Sequence, residues 1–278
     1  MVSKYINTNH IRLHYLDNEV DGPLLVLLHG LTANAHAFDG LMAAGLGKEY
    51  RILSIDLRGR GLSDQPESGY TMKEHAADII GLLDGLPIES AIIAGHSFGA
   101  FLGLYLAVYF PDRVQKLILM DAAVRMHPDT KEMLGPALSR LEQTFASFDA
   151  YLNKVKQAPY LTNWDENMRS YYWADVKNNP DGTVTIRSKL ANMMEAVMKG
   201  SLGEPWAELI KLLQKPAMLI NAPGVYTMGA ALLPKELALE TINMMNDCRY
   251  IEVTGNHQTM LYGEGAMQIV TAVKTFIS

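Results

Sequence analysis

Five short apolar runs constrain this chain more than any other feature: LLVLLH (24–29), RILSID (51–56), SAIIAG (90–95), KLILMD (116–121) and AMLINA (217–222). Each is too short for a buried helix. Each is apolar without alternation, so it reads as a strand covered on both faces, as parallel sheets require. Parallel neighbours need long crossovers, and the gaps carry helical patterns. Thr71 and Glu74 form a capping box ahead of the apolar run IIGLLDGL. FGAFLGLYLAVYF (98–110) is strongly apolar and ends at Pro111. EGAMQIVTAVKTFIS reads as a last helix against the sheet, and RYIEVT (249–254) as a further strand. The opening YINTNHIRLHYLD predicts a hairpin turning near Asn7–Asn9, because Ile11, Leu13 and Tyr15 alternate with polar neighbours. The fold class is therefore α/β, a doubly wound, mostly parallel sheet.

One segment breaks the rhythm. Between Ala122 and Lys215 there is no comparable buried strand, only polar and aromatic stretches such as PYLTNWDENMRSYYWADV, interrupted by a turn at Asn179–Gly182. That length is too great for a simple loop. We expect a helical cap over 122–215, inserted into a core made of 1–121 and 216–278.

Gly95-His96-Ser97-Phe98-Gly99 matches G-x-S-x-G and sits between a strand and a helix, the context the motif needs. A serine at so sharp a turn takes strained dihedrals, and φ > 0 is expected for Ser97. Bulky residues two positions away would collide with the strand and helix. The helix start offers unpaired N–H groups and partial positive charge, so the N–H of Phe98 can face an oxyanion. The loop His29-Gly30-Leu31, after the first apolar run, supplies a second donor, the N–H of Leu31; Gly30 permits close backbone approach to a ligand. His29 itself reads as a hydrogen-bonded loop residue.

A serine hydroxyl needs a base. His10 and His14 lie in the terminal hairpin, His36 and His75 in or near helices, His96 inside the elbow and His127 in the cap. His257, in RYIEVTGNHQTML, follows the last strand in a glycine-marked loop on the sheet edge where ligands bind. It is the candidate general base.

The set HGLTAN, DLRGRGLSD, GHSFG and GNHQTM, in this order, resembles the α/β-hydrolase superfamily of the esterase and lactonase type. The resemblance covers nearly the whole chain, the cap least. It implies a Ser-acid-His triad, with the acid usually in the loop after the penultimate strand. Here that loop, NAPGVYTMGAALLPKE, has no Asp or Glu between Asn221 and Pro234. Asp121, at the end of KLILMD, is the leading candidate. It stands beside the elbow strand, where some relatives such as certain haloalkane dehalogenases place their acid. Glu236 and Glu240 are the alternatives. The residues of DLRGRGLSD read as charge pairs and tight turns.

With Ser97 as nucleophile the resemblance implies a carboxylic-ester hydrolase acting through an acyl-enzyme, without a metal or organic cofactor. Esters of medium chain length, pesticide-type esters and lactones such as acyl-homoserine lactones are the expected substrates. Serine at the elbow argues against dehalogenase and epoxide hydrolase chemistry. Carbon–carbon bond hydrolysis uses the same triad and stays open, as does a ligand receptor of this fold. Gly30, Trp164 and Tyr172 are the candidate substrate contacts, within a cap rich in aromatic and Met side chains. A net charge of −6 gives no electrostatic reason to bind nucleic acid or an anionic membrane. A single cysteine, Cys248, and an N-terminus without a long apolar stretch lead us to expect a cytoplasmic monomer or homodimer.

Overall fold

The computed structural model describes all 278 residues. The strands, in chain order, are β1 (Val2–Thr8), β2 (Ile11–Asp17), β3 (Leu24–Leu28), β4 (Arg51–Ile55), β5 (Ala91–His96), β6 (Val114–Met120), β7 (Thr144–Phe145), β8 (Val176–Asn178), β9 (Val184–Ile186), β10 (Ala217–Asn221) and β11 (Cys248–Glu252). Eight of them form one sheet, in the order β1-β2-β4-β3-β5-β6-β10-β11. β1 and β2 pair antiparallel, as do β2 and β4; every other pairing in this sheet is parallel. All five of the apolar runs are strands.

Successive residues of these strands feed opposite cores. In β3, Val26 and Leu28 join one apolar cluster while Leu25 and Leu27 join the other. The first cluster is closed by the helices Met72–Gly85 and Phe98–Tyr109, through Ile79, Leu82, Leu102 and Leu106. The helix Gly263–Ile277 closes the second through Ile269, Val273 and Phe276. Covering both faces is what allows uninterrupted apolar strands. The capping box forms as expected, with the Thr71 hydroxyl accepting from the Glu74 N–H.

Between β6 and β10 the chain leaves the sheet. This segment holds helices, among them Phe148–Val155 and Met168–Asp175, but also a small antiparallel sheet in the order β7-β9-β8. The expectation of a purely helical segment is thereby corrected. Val184-Thr185-Ile186 alternates with period two, and the preceding Asp181-Gly182, with Gly182 at φ 85°, makes the hairpin turn that joins β8 to β9. The signal is a few residues long, and the helical stretches around it obscure it.

DLRGRGLSD has a structural explanation. Asp56 accepts hydrogen bonds from the Ala35 and Leu62 N–H groups and bonds His14 Nδ1 at 2.7 Å. Arg58 grips Asp78 through both Nε and Nη2. These contacts tie the loop after β4 to the hairpin and to the helix Met72–Gly85. No helix is long and apolar enough to cross a membrane.

Candidate active site

The loops after β3, β5, β6 and β11 converge at the carboxyl edge of the sheet, on either side of the central strand β5. Crossovers run to both sides of this point, so neighbouring loops diverge and leave a crevice. Ser97 stands at the tip of the β5–helix turn with φ 54° and ψ −117°. Its strained backbone is fixed on both sides: the Ser97 N–H donates to the Met120 carbonyl, and the Ser97 carbonyl accepts from Ala100 and Phe101. A Cβ at Gly95 would run into the backbone of Gly99 and Ala100, and one at Gly99 into the carbonyl of Leu28. The glycines let the helix start pass directly over β3 and β5.

His257 lies in the turn after β11. Its Nδ1 is 2.7 Å from Asp121 Oδ2, with both side chains almost wholly buried. A carboxylate at Nδ1 fixes the proton there and leaves Nε2 as acceptor. Asp121 follows β6 directly and has φ 52°, a second strained non-glycine residue in the same crevice. Its other oxygen accepts from the Ala222 N–H at 2.9 Å and from Asn221 Nδ2 at 3.0 Å. Asn221 is in turn oriented by the Tyr250 hydroxyl, which donates to its Oδ1. At the end of β10, where the resemblance led us to seek an acid, the chain has an amide that holds the acid of the neighbouring strand. Glu236 and Glu240 lie exposed on the helix Lys235–Ile242; Glu240 pairs with Arg125, and neither bonds His257.

Ser97 and His257 line one cavity of about 60 Å³, without a hydrogen bond between them. His96 joins them. Its Nε2 bonds the His257 carbonyl at 2.8 Å, and its ring lies 4.7 Å from the His257 ring. Burial, then the neighbouring His257, pushes the His96 imidazole well below the usual histidine range, so it stays neutral and donates through Nε2. The edge of Tyr226 meets the His257 ring from another side at 5.4 Å.

The Leu31 N–H donates to nothing in the protein. The Gly30 carbonyl of the same peptide is turned the other way, held by His29 Nδ1 at 2.7 Å and by the Ala33 N–H. N–H and C=O point oppositely across a trans peptide, so this grip aims the Leu31 N–H. Burial pushes the His29 imidazole down to about 4, so it is a neutral donor that also accepts from the Leu57 N–H. Arg60, fully buried, fixes the next peptide by donating from Nε to the Leu31 carbonyl at 2.9 Å. Its guanidinium lies 5.1 Å over the Phe98 ring. Phe98 opens the helix Phe98–Tyr109, so its N–H has no acceptor in that helix. Gly30 lines the cavity, and a Cβ there would approach Ser97 Cβ to 3.5 Å.

Of the two aromatic residues singled out as substrate contacts, Tyr172 lines the cavity and Trp164 does not. Trp164 stacks behind Tyr172 at 5.9 Å and donates from Nε1 to Glu166. It supports the wall from outside, an arrangement that composition alone cannot reveal. Sequence reasoning missed Arg140 and Tyr226 as cavity walls, and held Tyr160 and Tyr171 only among the many aromatic residues of the cap of which some should line a pocket. Nothing in their local sequence separates them from residues that merely pack the segment.

Residues 23–182 match the family model described as alpha/beta hydrolase fold. The chain is 32% identical over 154 residues to a 2-(acetamidomethylene)succinate hydrolase of Mesorhizobium japonicum, covering 54% of this chain and 55% of that protein. It is 29% identical over 170 residues to a cis-3-alkyl-4-alkyloxetan-2-one decarboxylase of Shewanella oneidensis, covering 56% and 52%. The chain thus spans about half the length of the curated relatives it matches. Among solved structures it superposes on E-2-(acetamidomethylene)succinate hydrolase with a TM-score of 0.87 at 24% identity, covering 99% of this chain and 98% of that one. An enol-lactonase from Burkholderia xenovorans gives a TM-score of 0.71 at 20% identity, with 99% of each chain covered. At these identities the two superpositions speak for the fold.

Proposed function

Because the chain belongs to the alpha/beta hydrolase fold family, we propose that it hydrolyses the acyl–oxygen bond of a small ester or lactone, as a carboxylesterase, through Ser97, His257 and Asp121. The Asp121–His257 pair, whose imidazole lines the cavity that also holds the strained Ser97, carries this reading. Ser97 Oγ attacks the carbonyl carbon as His257 Nε2 takes its proton. Asp121 stays ionised and stabilises the imidazolium. The oxyanion forms beside the N–H groups of Leu31 and Phe98, each worth about 3 kcal/mol in the transition state. Collapse expels the alkoxide, protonated by His257, and leaves an acyl-serine. Water, deprotonated by His257, then releases the acid and restores the hydroxyl.

We read 122–215 as a cap over a core of 1–121 and 216–278, supported by the walls that Arg140, Tyr160, Tyr171 and Tyr172 contribute.

A second reading has its own support. The Mesorhizobium relative is named for hydrolysis of an acetamidomethylene succinate, and the same serine, base and oxyanion donors serve amide or carbon–carbon cleavage. Steady-state rates on p-nitrophenyl acetate, a simple lactone and 2-(acetamidomethylene)succinate rank the readings: the substrate with the highest kcat/KM identifies the bond. In every case Ser97→Ala is expected to lose at least a thousandfold in kcat while its circular dichroism is unchanged. Full turnover by Ser97→Ala would end both readings.

A further inference from the structure

Arg140 is the only cation among the cavity walls other than the histidines, and no Asp or Glu lines the cavity. It is 7% exposed. Its Nε donates to Asp175 Oδ2 at 3.1 Å, Nη1 to the Ala137 carbonyl and Thr32 Oγ1, and Nη2 to the Thr32 carbonyl at 2.9 Å. A guanidinium has five N–H donors, so one Nη2 N–H remains without a protein acceptor.

Four tyrosines surround the same space. Tyr160, Tyr171, Tyr172 and Tyr226 are each at most 4% exposed and line the cavity, and none of their hydroxyls bonds another protein group. Lacking a partner is not peculiar to these four, since the Tyr262 hydroxyl has none either; what sets them apart is that all four line the cavity that holds Ser97 and His257. None of the four is among the fully enclosed polar atoms left without a partner, so each hydroxyl is open to what fills the cavity. Four of them in one cavity, beside an uncommitted guanidinium N–H, form a donor set waiting for an acceptor. Burial holds all four phenols above their ordinary range, so they remain proton donors throughout neutral pH.

We propose that this cavity recognises a substrate bearing a free carboxylate beside the acyl group, anchored by Arg140 and the tyrosine hydroxyls. The position of the acyl group rests on the hydrolase reading above; the anion preference does not depend on turnover. A carboxylate offers about four lone-pair sites and takes charge-assisted bonds from guanidinium and phenol alike. Asp175 balances Arg140 from behind, so the cation is held in place without a carboxylate entering the cavity. A neutral diester offers only uncharged acceptors and caps one oxygen with a methyl group, so its bonds to Arg140 and the phenols lack the charge assistance that a carboxylate brings.

Calorimetry on Ser97→Ala with monomethyl succinate and dimethyl succinate tests this directly. The anion is expected to bind at least tenfold more tightly than the neutral diester. Tyr160→Phe and Tyr226→Phe, each added to Ser97→Ala, are expected to weaken the anion three- to tenfold and the diester less. Arg140→Met combined with Asp175→Asn, which removes both buried charges together, is expected to erase the preference. If that variant does not fold, the Tyr→Phe pair decides. Equal or tighter binding of dimethyl succinate overturns the proposal. A wild-type chain that turns over no carbonyl substrate yet keeps the anion preference would sink the hydrolase reading and leave this one standing.

Discussion

Among single residues, the chemistry turns on how Asp121 is held. Two donors, the Ala222 N–H and Asn221 Nδ2, fix one carboxylate oxygen and leave the other for His257. A carboxylate fixed this way stabilises a charged imidazole and sets its tautomer. Asp121→Asn is therefore expected to lower kcat about 10³- to 10⁴-fold on whichever substrate is turned over, with the folded state intact. Glu236→Gln, on the exposed helix Lys235–Ile242, should leave kcat within a factor of two. The reverse pattern in a side-by-side kinetic comparison would move the acid to the glutamate. Sequence alone leaves three carboxylates open because the choice depends on which of them reaches across the sheet edge to β11's loop. β10 lies between β6 and β11 in the sheet, and chain order does not show that. Arg140 is invisible in the sequence for the same reason, since its place on the cavity wall follows from the packing of the whole inserted segment.

Among helices and strands, the glycines of the elbow reverse an ordinary rule. Alanine normally stabilises a helix relative to glycine by about 1 kcal/mol. At Gly99 the added methyl would collide with the Leu28 carbonyl of β3, which cannot move without breaking the sheet. Gly99→Ala is expected to destabilise by roughly 2–3 kcal/mol, the cost of overpacking a filled core. Gly135, at the start of the short helix Gly135–Leu138, has open space where a methyl would go, with nothing within 4 Å, so Gly135→Ala should be neutral or stabilising by up to about 1 kcal/mol. Urea midpoints measure both; equal shifts would deny that the elbow helix is pressed against β3. The strand–turn–helix context of Ser97 is legible because apolar run, glycine spacing and helical run agree along one continuous stretch, SAIIAGHSFGAFLGLYLAVYF. The small sheet of β7, β8 and β9 is not, because strands of two or three residues carry too little periodicity to compete with helical neighbours.

For the molecule as a whole, buried neutral histidines set the acid limit. His29, His75 and His96 are buried, and burial pushes each below the ordinary histidine value of 6.5, His29 to about 4. The unfolded chain binds protons at these groups as pH falls through 6.5, whereas the folded chain does not. Stability is therefore fully present above 6.5 and falls as the pH drops from 6.5 toward 4, by about 3 kcal/mol for His29 alone. Urea unfolding at pH 7.0, 6.0, 5.0 and 4.5 should show a steadily falling midpoint. A flat midpoint over that window would mean that these histidines are charged in the folded protein.

All of the proposed chemistry requires Ser97 to be an activated nucleophile. The sharpest check is intact-protein and peptide mass spectrometry after reaction with an alkyl fluorophosphonate, which labels a serine only when a base and oxyanion donors activate it. We expect one phosphonyl group per chain on the peptide containing Ser97, formed slowly or not at all in His257→Ala and absent in Ser97→Ala. Labelling of another residue, or an unlabelled Ser97 in the folded wild-type protein, would contradict it.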